Sequence, residues 1–156
     1  MDIEKYNYMG NESIGFHATV TSSQAIYPPE FKRKEFFDVE SSAETYINRT
    51  KLVGLFTAGN SNCILVPEET TDRERDKLEE AGIDFQVLES PDNALGNLIL
   101  CNDQGAYISE KLSHRKDEIE DALEVPVTVG KIAGIQNPGV CGRANAQGAG
   151  SHRDTP

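Results

Sequence analysis

Leu95-Gly96-Asn97-Leu98-Ile99-Leu100-Cys101-Asn102-Asp103-Gln104-Gly105-Ala106-Tyr107-Ile108 is the stretch from which the fold can be read. Asn97 to Cys101 is a near-continuous apolar run of the kind that forms a strand. Asn102-Asp103-Gln104-Gly105 reads as a hairpin turn, because Asn, Asp and Gly tolerate positive φ. Ala106-Tyr107-Ile108 returns as a second strand. Ser113 is then placed to cap a helix carrying Ile119 and Leu123, four residues apart on one face. Val125-Pro126-Val127-Thr128-Val129 follows as a third strand, with Pro126 at its start or on an edge. The unit is ββαβ.

The same order recurs along the chain. Ile14-Gly15, Val53-Gly54, Leu95-Gly96 and Pro138-Gly139 set their glycines 39, 42 and 43 residues apart. Six positions after each glycine stand Thr21, Asn60, Asn102 and Asn145, and thirteen after it stand Pro28, Pro67, Ser109 and His152. Between these marks, Ala25-Ile26-Tyr27, Ile64-Leu65-Val66 and Ala106-Tyr107-Ile108 are matching apolar runs. In the second copy Thr71-Asp72-Arg73-Glu74 is a capping box, in which hydroxyl and carboxylate satisfy free backbone donors reciprocally. Its helix is predicted through Ala81, stopping at Gly82, with a strand over Asp84–Leu88. A less regular helix is expected in the first copy near Phe31–Val39. The fold class is α/β: one domain of ββαβ repeats, with units at 1–45, 46–90 and 91–134 and a partial fourth at 135–156. No unit can bury its own sheet face, so neighbours must pack together.

Composition fits one soluble domain: 156 residues, 37% hydrophobic and 26% charged. Twenty-six acidic residues against 15 basic give a net charge of −11. That excludes a domain gripping nucleic acid over a broad surface. Lys32-Arg33-Lys34 is the one compact basic cluster and reads as a solvated helix face. No apolar run reaches 18 residues, and the start Met1-Asp2-Ile3-Glu4-Lys5 lacks a signal peptide's pattern, so a cytoplasmic location is expected. Three cysteines without a CxxC pair exclude a zinc site or disulfide framework. Cys63 and Cys101 lie in or beside apolar runs, as buried reduced thiols do. Asn48-Arg49-Thr50 is a chance match to a glycosylation acceptor.

Chemistry is sparse. His17, His114 and His152 belong to no HExxH, and there is no GxSxG and no phosphate-binding glycine loop. A Cys141–His152 nucleophile pair has no supporting motif. Asn60, Asn102 and Asp103 are candidates for a shared surface, since repeats place equivalent loops together. Turn geometry alone also accounts for them. The glycines at 15, 54, 96 and 139 read as sites of close backbone packing.

Asn93-Ala94-Leu95-Gly96-Asn97-Leu98-Ile99-Leu100-Cys101-Asn102-Asp103-Gln104-Gly105-Ala106 resembles the third repeat of the archaeal translation initiation factor 6 family. That family is the counterpart of the eukaryotic ribosome anti-association factor. The resemblance continues through Asp117–Val125 and Gly130-Lys131-Ile132-Ala133. Upstream, Gly10-Asn11-Glu12-Ser13-Ile14-Gly15 resembles the family's opening and Thr57–Pro67 its second repeat. The resemblance implies a pentein fold, five quasi-equivalent ββαβ units around a pseudo-fivefold axis. It implies binding to the large ribosomal subunit, chiefly to ribosomal protein near rRNA, and a block on small-subunit joining. No cofactor and no catalysis are implied. Asn97 matches an asparagine of the family's ribosome-facing surface, and Gly96 supports the backbone beside it. Asn60, Asn102 and Asp103 join these from the repeat register.

The chain also departs from the family. Members are longer and complete five repeats, whereas this chain stops within its fourth. Val140–Ser151 carries Gly, Arg, Ala and Ser where a buried strand pair is expected. A truncated, open arc would expose packing faces that favour self-association. Two alternatives stand beside the family reading: a fragment without ribosome binding, and a pentein enzyme that modifies guanidino groups.

Overall fold

A computed structural model describes residues 17–31 and 38–130, and the backbone of residues 142–145 and 148–151. The first block has β1 (Thr19–Val20), β2 (Gln24–Tyr27) and β3 (Ser41–Glu44). β1 runs antiparallel to β2, and β3 runs parallel to it. The second block opens with one helical turn, α1 (Val53–Phe56). It continues through β4 (Ala58–Gly59), β5 (Ile64–Pro67), α2 (Asp72–Glu80) and β6 (Phe85–Leu88). The third repeats the order with α3 (Leu95–Leu98), β7 (Ile99–Cys101), β8 (Ala106–Ile108), a 3-10 turn (Glu110–Arg115), α4 (Lys116–Leu123) and β9 (Val127–Val129). In both, the first two strands are antiparallel and the third is parallel. A parallel return needs a crossover, and the helices supply it. β10 (Gly142–Asn145) and β11 (Gly148–Ser151) form a further antiparallel pair despite their small and polar residues. The expected helix over Phe31–Val39, the Lys32–Lys34 cluster, Gly15, Gly139, Cys141 and His152 lie wholly or largely outside the described residues.

The hairpin turns fall at 21–24, 60–63 and 102–105, as the strand pairings require, and in the fourth pair Asn145 stands opposite Gly148. Their spacings are those of the glycines. In the first three, the leading residue donates its N–H to the carbonyl three residues on: Thr21 to Gln24, Asn60 to Cys63, Asn102 to Gly105.

Three readings of local structure are corrected. Asn97 and Leu98 belong to α3, not to a strand. Leu95 and Leu98, three apart, are both buried by that single turn, and two buried side chains three apart suit a helix, not a strand's alternation. Ser113 lies inside the 3-10 turn and caps nothing; Ser109 does so, its hydroxyl accepting from Lys111 N at 3.2 Å. The third strand begins at Val127, not Val125. The capping box of α2 is present as predicted. The helix ends one residue early, with Ala81 as its cap and Gly82 at φ +76°, a region open to glycine.

β5 shows why these runs are apolar throughout. Ile64 and Val66 pack with Ile26, Ile47, Val53 and Leu78 between the first and second blocks. Leu65, pointing the other way, packs with Leu95, Ile108, Ile119 and Leu123 between the second and third. A strand buried on both faces carries no alternation. Each core is therefore shared by two blocks.

Candidate functional site

The turn side chains sit where the blocks meet. Asn60 is buried, and its Oδ1 accepts from Asn62 N at 3.0 Å and Cys63 N at 3.1 Å. Thr21 Oγ1 and Asn102 Oδ1 do the same in their own turns. This is the Asx- and ST-turn chemistry for which such residues are suited. Asn60 also reaches across: its Nδ2 donates to Asn102 O at 3.1 Å and Leu123 O at 2.9 Å. Gln24 makes the equivalent bridge from the preceding block, with Asp84 N donating to its Oε1 at 2.7 Å. Asn102 is buried too, and its Nδ2 has no partner among the described residues.

Asp103 joins three blocks. It accepts from Ser61 N at 2.8 Å and from Ser22 Oγ at 2.9 Å. Ser22, Ser61 and Asp103 hold equivalent turn positions, seven after their glycines. Burial pushes the Asp103 carboxyl up, but the hydrogen bonds from Ser61 and Ser22 prevail and hold it below the ordinary carboxylate value. A depressed folded pKa contributes stability above the unfolded value of about 4. That stability is lost as pH falls through the folded pKa. Asp103→Asn is expected to lose about 1 kcal/mol at pH 7. Its denaturation midpoint should lie closest to the parent's in strong acid, in urea titrations across pH 2–7. An equal gap at all pH values would refute this.

At the other end of β7, Gly96 is buried against α1. A Cβ there would collide with the carbonyl oxygen of Gly54 and lie 2.9 Å from that of Leu55. Asn97, next to it, is half-buried, and its carboxamide makes no hydrogen bond among the described residues. The structure therefore brings Asn60, Asn102 and Asp103 together at the hairpin end and places Gly96 and Asn97 at the opposite end of the block. Residues 18–20, 57–59 and 99–101, in or beside the first strands of three blocks, line a pocket of about 120 Å³ together with Gly54 and Gly96.

The thiols are not poised for nucleophilic chemistry. Burial, then the nearby Asp84 and Glu124, push Cys63 up to about 11. Burial, then Asp103 and Cys63, push Cys101 up to about 12, and its Sγ donates to Gly59 O at 3.1 Å. His17 is buried and His114 exposed. Among the described residues no three His, Cys, Asp or Glu side chains group as metal ligands, and no helix is long and apolar enough to cross a membrane.

Two features escaped sequence reading. Gln24 gave no sign that its side chain binds Asp84, sixty residues away. Asn48 and Arg49, read as part of a chance motif, form a tight turn with φ of 51° and 60°. Both donate their N–H groups to Glu74, at 2.8 Å each. Asn in a left-handed turn was the available signal.

Blocks of two antiparallel strands, a helix and a parallel return, joined through turn side chains and shared cores, define a repeat-built α/β protein. The chain belongs to the eIF-6 family, whose model matches residues 3–156. It is 37% identical over 137 residues to translation initiation factor 6 of Natronomonas pharaonis, covering 83% of this chain and 62% of that protein. The protein of the same name from Methanococcus maripaludis is 32% identical over 161 residues, covering 96% and 71%. That from Methanothermobacter thermautotrophicus is 36% identical over 140 residues, covering 85% and 63%. The chain thus spans about two thirds of the length of these relatives.

Proposed function

We propose that the chain acts in translation initiation by binding the large ribosomal subunit and sterically preventing the small subunit from joining. Family membership and the relatives' shared name, translation initiation factor 6, support the translational role. Asn97 supports the surface. It stands on a single helical turn anchored by buried Leu95, Gly96 and Leu98, and its carboxamide makes no hydrogen bond among the described residues. A polar group held this way binds without losing much conformational freedom. In this reading Asn97 touches the ribosome and Gly96 fixes its position. Asp103, Asn102 and Asn60 set the geometry of the opposite end. No cofactor takes part and no reaction is catalysed, and the protein works in the cytoplasm.

The test is co-sedimentation with purified large subunits. Asn97→Ala is expected to weaken binding about tenfold, roughly 1.4 kcal/mol, with an unchanged melting temperature. Equal binding by parent and variant at low salt would remove the proposal's footing.

The blocks are proposed to be units of a pentein ring divided at 45, 90 and 134. Tyr107 favours this. It occupies the register position of Ile26 and Leu65, which are 0% exposed beneath the following block, yet Tyr107 is 43% exposed. Tyr107 and the Nδ2 of Asn102 belong to a face that a further block would cover. A second copy of the chain could cover it instead, and light scattering across a concentration series separates the two.

A further inference from the structure

On this strongly acidic chain, three cations that form no ion pair among the described residues line one groove. The groove, about 570 Å³, lies between the Thr45–Thr50 segment and α2 and is walled by Tyr46 and Arg49 on one side and Arg73 and Lys77 on the other. Arg49, Arg73 and Lys77 are exposed and make no ion pair or side-chain hydrogen bond among the described residues. Arg73 and Lys77 are four apart on α2 and so share a face. The groove's carboxylate, Glu74, is buried and already engaged. Its two oxygens accept from the N–H groups of Asn48, Arg49 and Thr71 at 2.8–3.0 Å. Those bonds pin the Ile47–Thr50 turn to the start of α2 and so fix where Arg49 stands. Tyr46, with 40% of its surface exposed, presents a ring beside the cations.

We propose that this groove binds the backbone of unpaired RNA, with Arg49, Arg73 and Lys77 on phosphates and Tyr46 stacked on a base. Cations that track a phosphate backbone beside an exposed aromatic ring are the elements of single-strand recognition. A net charge of −11 confines such binding to a local site. The direction of the chain places the groove usefully. β2 and β5 run away from the hairpin turns, β3 runs parallel to β2, and the Thr45–Thr50 segment and the start of α2 follow their far ends. α3 and Asn97 belong to that same end. The identity of the RNA as ribosomal rests on the proposed function; the groove's chemistry does not.

The test is fluorescence anisotropy with a short labelled single-stranded RNA, in a salt series, on the whole chain. Binding is expected with a log–log salt slope near −2, for three phosphates at about 0.7 each. The triple variant Arg49→Gln/Arg73→Gln/Lys77→Gln should bind at least tenfold more weakly with a slope near zero. Tyr46→Ala should lose affinity while keeping the slope. Circular dichroism melts serve to show that each variant is folded. Asn97→Ala should bind the oligonucleotide as the parent does, which separates failure of this site from failure of ribosome docking. The proposal is overturned if the parent does not bind at low salt, or if the folded triple variant binds equally. It is also overturned if inorganic phosphate or poly-glutamate competes as effectively as unlabelled RNA.

Discussion

Asn60→Ala is expected to destabilise the protein by about 3–4 kcal/mol and lower its melting temperature by roughly 10 °C. The side chain makes four hydrogen bonds, two within its own turn and two to the third block. Alanine removes them all: Asn62 N, Cys63 N and Asn102 O lose this partner, and Leu123 O keeps only its bond from Asn62 Nδ2, in a site where Asn60 itself is 2% exposed. Burying such groups without replacement is the expensive case. Asn60→Asp should do no better, because a carboxylate oxygen would face two carbonyl oxygens. Asn62→Ala is the comparison. It loses one bond, from Nδ2 to Leu123 O, and should cost about 1 kcal/mol. Urea denaturation of the three variants decides. If Asn60→Ala is no less stable than Asn62→Ala, the bridge between blocks has no energetic weight.

Gly96→Ala should cost at least about 3 kcal/mol, through overpacking instead of a lost bond. The added methyl meets the carbonyl oxygens of Gly54 and Leu55. These are backbone atoms and cannot swing aside, so α1 and α3 must part and the core shared by the second and third blocks must open. Gly130→Ala is the control, since a Cβ there meets nothing within 4 Å among the described residues, and it should shift the urea midpoint little. Similar midpoints for the two alanine variants would show that the close approach is not a constraint. Because Gly96 adjoins Asn97, a partly folded Gly96→Ala protein is also expected to lose whatever binding Asn97 supports.

The hairpins were legible because their determinants are local. A turn residue, a glycine and an apolar return lie within a few positions of one another, and the pairings at 21–24, 60–63 and 102–105 follow from them. The capping box of α2 was legible for the same reason, since Thr71 and Glu74 are three apart. α3 was not, because Leu98-Ile99-Leu100 is apolar whether it coils or extends. The choice rests on Gly96, whose missing side chain lets that turn nestle against the carbonyl of Gly54, forty-two residues upstream. Asn60 and Asn102 could be read as turn formers, and they are. Their second task depends on partners 42 and 63 residues away for Asn60, and no local pattern encodes those. Glu74 was legible as a helix cap but not as the clamp on the Asn48-Arg49 turn. The cations of that groove come from two segments that only the fold brings together.

The bridge made by Asn60 carries a consequence for synthesis. Its amide emerges from the ribosome sixty-three residues before the Leu123 carbonyl that receives it. Leu65, likewise, waits for Ile108, Ile119 and Leu123 before its side of β5 is covered. The second block can form its own sheet as soon as Leu88 is made, but it remains wet on one face and short of acceptors until the third is complete. Assembly is thus vectorial: each block is finished by its successor, and a pause in elongation after Leu88 would hold the nascent chain in its most adhesive state.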